Sequence, residues 1–131
     1  MGFRLLLWRN REIMDIENRT FEFALQIVNM CKLLNKDHEY ILSKQLLRSG
    51  TSIGANVAES QAAQSKKDFI SKISIASKEA RETFYWLRLL DRAGYLTSSK
   101  NKDIIIDEVK SIINIITKII ITTQNNLTNG R

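Results

Sequence analysis

Proline is absent from all 131 residues, so no ring interrupts a helix from within. Glycine is scarce: there are five, two of them near the chain ends at Gly2 and Gly130. A single cysteine, Cys31, leaves no internal disulfide and points to a reducing compartment. A single histidine, His38, gives no support to a histidine triad or a zinc cluster. It also rules out the paired Glu-x-x-His motifs of a di-iron bundle. The one glycine pair at suggestive spacing, Gly50-x-x-x-Gly54, lacks the lysine of a phosphate loop and falls inside an expected helix. Glu79 and Glu82 are three apart, but surface carboxylates at that spacing are common. These absences set an expectation of no catalytic residues, no metal and no cofactor, so not an enzyme.

Targeting signals are equally thin. Gly2–Trp8 is apolar but too short for a signal-peptide core, and no small-residue cleavage site follows it. Leu6 breaks the myristoylation pattern. The richest apolar run, Ile112–Ile121, contains Asn114 and Lys118 and is too short to span a bilayer. A soluble, cytoplasmic protein with no membrane partner is expected. Residues 1–17 read as a basic N-terminal arm, with Met14 as an alternative start, and 128–131 as a polar tail.

What is present is helical periodicity. Four helices are expected, at about 18–35, 40–63, 66–93 and 99–126, in one domain spanning 18–127. The first places Phe21, Ala24, Leu25, Val28, Cys31 and Leu34 on one side. In the second, Leu42, Leu46, Ile53 and Val57 form an apolar line. Gly50, Gly54, Ala58 and Ala62 run beside it, which suggests close approach by another backbone or else a locally weak helix. Asn56 and Glu59 are the polar residues expected to be partly buried, with cross-helix hydrogen bonds. Ser65 and Asp68 form a capping box at the start of the third helix, and Gly94 suits its C-terminal stop. The fourth is lined by Ile105, Val109, Ile112, Ile116, Ile120 and Thr123. The short connections make neighbouring helices antiparallel, an all-α up-down-up-down bundle.

The third helix has three faces on a 100° wheel. Phe69, Ile73, Ala76, Ala80, Phe84 and Leu87 form the core face. Ile75, Trp86, Leu89 and Ala93, with Glu79 and Glu82 alongside, form a second face. It reads either as scattered exposed apolar residues or as an oligomer interface. The third face carries Lys67, Ser71, Ser74, Lys78, Arg81, Tyr85, Arg88 and Arg92 and no acid. Residues 65–96 hold seven cations against four acids, the largest local share of the net charge of +6. Such a line either tracks a phosphate backbone, with Tyr85 stacking on a base, or is a solvated face whose cations pair with neighbouring acids.

Three segments carry a resemblance: SIGANVAES (Ser52–Ser60), SKKDFISKISIASKEARET (Ser65–Thr83) and LDRAGYL (Leu90–Leu96). With FEFALQIV (Phe21–Val28), they resemble the bacterial four-helix-bundle protein family. That family includes proteins encoded in intervening sequences of 23S rRNA genes. The likeness covers about residues 18–125; one departure is Ser60, where many members have glycine. The resemblance implies an antiparallel four-helix protomer and a homopentameric ring with a central opening. It also implies a more distant likeness to the accessory subunit of diversity-generating retroelements, a basic pentamer that binds nucleic acid and works with a reverse transcriptase. The family has no established catalytic residues to carry over. The expected function is therefore non-enzymatic binding of RNA or DNA. Phosphate contacts would come from Lys67, Lys78, Arg81, Arg88 and Arg92, assisted by Lys66, Arg4, Arg9 and Arg11. The alternative is an accessory subunit of a reverse transcriptase or another nucleic-acid enzyme.

Overall fold

The computed structural model describes residues 11–129, with side chains from 15 to 126. Four helices account for nearly all of it: α1 (Arg11–Lys36), α2 (Ile41–Ser60), α3 (Lys66–Arg92) and α4 (Lys102–Asn129). No strand occurs among the described residues. The helices pack as a bundle: α2 lies against α1 and α3, and α4 lies against α3 and, more sparsely, α1.

Helix α1 begins well before Asn18, and that start fixes its phase. Ile16 is completely buried, and the buried Thr20 hydroxyl donates to the Ile16 carbonyl at 2.8 Å. From there Phe23, Ile27, Met30, Cys31 and Leu34 point inward. Phe21 and Leu25, expected in the core, are instead 63% and 47% exposed. Residues 11–17 of the expected arm are thus helical. Residues 1–10, with Arg4 and Arg9, the tail residues 130–131 and the Arg11 side chain lie outside what is described.

Turn chemistry explains the ends. At the close of α3, the Gly94 N–H donates to the Asp91 carbonyl and the Tyr95 N–H to the Leu90 carbonyl, at 3.1 and 3.0 Å. Gly94 sits at φ +89°, a left-handed conformation that costs glycine little. The same pattern closes α1, where His38 donates to Asn35 and Glu39 to Leu34, at 3.0 and 2.9 Å. There the left-handed residue is His38 itself, at φ +65°. At the start of α3 the Ser65 hydroxyl accepts the Asp68 N–H at 3.1 Å. The Asp68 carboxylate reaches one residue further back than a standard box, accepting the Gln64 N–H at 3.1 Å. Helix α2 ends at Ser60, and tight i→i+3 bonds carry the chain through Gln61, Ala62 and Ala63.

The interior is mainly apolar, with six buried serines and threonines among the described residues. Leu46, Ile53, Val57, Phe69, Ile73, Leu87, Leu90, Val109, Ile112 and Ile116 are fully buried, each worth roughly 1.5–3 kcal/mol over exposure. Gly50 and Gly54 mark the closest packing. A Cβ on Gly50 would lie 2.8 Å from the Ile27 side chain, and one on Gly54 would lie 3.1 Å from the Thr20 carbonyl. The close approach expected from the small-residue line therefore exists at its glycines. Ala58 and Ala62, further along, are exposed. Cys31 is buried, its thiol donates to the Ser43 carbonyl at 3.4 Å, and burial pushes it up to about 11. It is a packing residue rather than a nucleophile. Across the sparser seam, Arg19 donates to both Glu108 oxygens at 2.9 and 2.7 Å and to the Ser111 hydroxyl at 3.0 Å.

Candidate nucleic-acid interface

Helix α3 has two charged edges of opposite character. Its core residues, Phe69, Ile73, Ala76, Ala80, Thr83, Leu87 and Leu90, turn it by one fixed phase. Phe84, expected within that set, is only partly buried and packs against its margin. Thr83 takes an inward place, and its hydroxyl donates to the buried Ser49 hydroxyl at 2.9 Å.

On the edge toward α2, Arg48 and Lys72 each have an acid. Arg48 of α2 donates to Glu79 at 3.1 Å and also to Glu82. The bond to Glu82 is the main reason the Arg48 guanidinium is held above its ordinary value and the Glu82 carboxyl below its own. The Trp86 indole N–H donates to Glu82 at 2.9 Å and lowers it further. Lys72 of α3 reaches Glu59 of α2 at 3.2 Å. Asn56, expected to bond across helices, instead donates to the Ser52 carbonyl of its own helix at 2.9 Å.

The remaining acids of α3 are also engaged. Asp68 caps the first turn, and Asp91 accepts from Lys102 of α4 at 2.6 Å, the contact that chiefly raises Lys102. The cations of the other face are left over. Lys67, Lys78, Arg81, Tyr85, Arg88 and Arg92 are all exposed, as is Ser71, while Ser74 is half-buried. None of the five cations among them makes an ion pair with a described residue. Lys78 acts on Glu82 through its field alone, as a minor contribution. Arg81 reaches the Thr117 hydroxyl of α4 at 3.4 Å. The Arg88 guanidinium lies 5.6 Å from the Phe84 ring centroid, and the Lys110 ammonium of α4 lies 6.0 Å from it. Both distances suit a cation–π contact.

The face expected to assemble is more mixed. Ile75 and Leu89 are each 38% exposed, and Ala93 is exposed at the helix cap. Trp86 is half-buried against the core, with its N–H already committed to Glu82. Sequence reasoning missed Arg48, Lys110 and the Ser49–Thr83 pair. The signal for Arg48 was its place among apolar residues of α2, beside the segment that packs on the two glutamates. No group of three His, Cys, Asp or Glu side chains among the described residues is placed to hold a metal ion. No described helix is long and apolar enough to cross a membrane.

The family model described as 23S rRNA-intervening sequence protein matches residues 12–118. No curated protein matches. One similar solved structure is a crystal structure at 1.70 Å of a protein of unknown function from the S23 ribosomal protein family of Bacteroides thetaiotaomicron VPI-5482. It is 45% identical with a TM-score of 0.78, over 83% of this chain and 97% of that one.

Proposed function

The chain belongs to the 23S rRNA-intervening sequence protein family, and from that premise we propose a non-enzymatic, oligomeric protein that binds RNA or DNA through the cationic face of α3. One observation carries the reading. The four acids of α3 are occupied by a helix cap and by cations from α2 and α4, while five of its own cations make no ion pair among the described residues. A solvated surface with interleaved acids would neutralise itself; this one does not. Phosphates are the natural counter-charge for a line of Lys67, Lys78, Arg81, Arg88 and Arg92, and such contacts position a strand without reading its sequence.

The proposal includes an antiparallel, up-down-up-down course. It is supported by Ser49 meeting Thr83 while Glu59 meets Lys72, so position falls along α3 as it rises along α2. It also includes assembly into a homopentameric ring through Ile75, Leu89 and Ala93, with Trp86 behind them. A ring would repeat the cationic line and add avidity. A solution mass near five times 15.1 kDa is expected, and a monomer would contradict the ring. Binding is tested by titrating a structured RNA at two salt concentrations. Complex formation at low salt that weakens as salt rises is expected. No binding at low salt, or binding indifferent to salt, would contradict the proposal.

A further inference from the structure

We infer that the notch bounded by Tyr85, Arg88, Leu89 and Arg92 seats one unpaired base and its adjoining phosphate, so that α3 prefers single-stranded over duplex nucleic acid. This strand preference rests on the phosphate-binding reading of the same face and extends it. The notch has a volume of about 300 Å³. Its residues recur at the three- and four-residue spacings that bring side chains together on one helix face.

Three features make it more than a gap between side chains. First, Tyr85 is 55% exposed, a large ring left facing solvent. It is also held in place. It meets Trp86 in a T-shaped contact with centroids 5.0 Å apart. Trp86 is in turn tied to Glu82, and Glu82 to Arg48 of α2. An aromatic ring positioned this way loses little freedom when a base stacks on it. Second, Arg88 and Arg92 flank the ring without a carboxylate partner among the described residues, because the neighbouring Asp91 is taken by Lys102. Third, Arg88 rests near Phe84, which limits its conformations while leaving its donors available. One stackable ring and two guanidiniums without an ion pair among the described residues together match a nucleotide, a flat base beside an anion, while Leu89 only bounds the notch on the side given to assembly. In a duplex the base faces are already stacked on one another, so only the anionic half of this match is usable.

The test is fluorescence anisotropy at low salt with labelled oligouridylate, oligothymidylate and a blunt RNA duplex. The intact chain is expected to bind both single strands more tightly than the duplex. Tyr85→Ala is expected to weaken both single strands about tenfold and to leave the duplex unchanged. Tyr85→Phe should bind like the parent, because it retains the ring. Helix content and solution mass are measured alongside. If the parent binds none of the three probes, the phosphate-binding reading falls with this one. If it binds all three equally, only the strand preference falls. The inference is also overturned if Tyr85→Ala binds as the parent does, if the weakening is confined to one of the two single strands, or if the substitution changes the solution mass, which would assign the ring to assembly.

Discussion

Helices α1 and α3 both pack against α2, but in opposite ways. α1 meets α2 over bare backbone: Gly50 takes the Ile27 side chain, and Gly54 takes the Thr20 carbonyl. That seam is specified mainly by shape, with the Ser43 hydroxyl donating to Asn35 at 2.9 Å and the Cys31 thiol to the Ser43 carbonyl nearer its other end. α3 meets α2 through polar groups, with Ser49 against Thr83, Arg48 against Glu79 and Glu82, and Glu59 against Lys72. That seam is specified by charge and hydrogen bonding. The difference reaches the surface. A shape-specified seam leaves the charges of its helices where the sequence put them. At the charge-specified seam Arg48 takes up Glu79 and Glu82, which leaves the cations on the other side of α3 without an ion pair among the described residues.

Breaking the shape-specified seam should have the largest effect on stability. Gly50→Leu would force a side chain into the fully buried Ile27 and is expected to cost about 3 kcal/mol by denaturant unfolding. Ala58→Leu, exposed further along α2, is the control and should stay within about 0.5 kcal/mol of the parent.

The charge-specified seam should respond more weakly and in a pH-dependent way. Arg48→Ala is expected to cost less than about 1 kcal/mol at neutral pH, because the pairs are partly solvated. Arg48 holds the Glu82 carboxyl below its ordinary value. A depressed carboxyl contributes stability above its unfolded value and loses it as pH falls through the folded one. The gap between parent and variant should therefore close as pH drops below about 4. Loss of the Arg48 charge and the freeing of Glu79 and Glu82 should together lower RNA affinity.

The smallest effect concerns how the two helices stop. α3 ends on Gly94 and α1 on His38, with the same hydrogen-bond pattern and the same left-handed turn. His38→Gly should raise stability by roughly 0.5 kcal/mol, since relief of left-handed strain outweighs the added freedom of the unfolded chain.

The same two helices show what could be read from the sequence. In α3 the capping serine, the terminal glycine and the cationic face are punctuation and charge, local signals that survive without knowledge of neighbours. In α1 two inward phases compete: Phe21 with Leu25, or Phe23 with Ile27. Ile16 and Thr20 decide between them. A helix that starts at Asn18 gives Ile16 no part in that choice. Thr83 looks less apolar than Phe84, yet it is buried, because its hydroxyl has Ser49 to bond. The Glu79 carbonyl of α3 itself lies 2.7 Å from that hydroxyl, so only the Ser49 contact depends on α2 being alongside. The capture of Glu79 and Glu82 by Arg48 is likewise a property of two helices together.

The central claim is that the unpaired cations of α3 meet phosphates. It is tested most directly by the salt dependence of RNA binding for the parent chain and for Arg81→Glu/Arg88→Glu. The parent is expected to show a steep fall in log affinity with log salt. The variant should keep the parent's unfolding midpoint, bind at least tenfold more weakly, and show a slope shallower by about 1.4, roughly 0.7 for each phosphate of a single strand that is no longer neutralised. Unchanged affinity and slope in a folded variant would contradict the account and leave the face merely solvated.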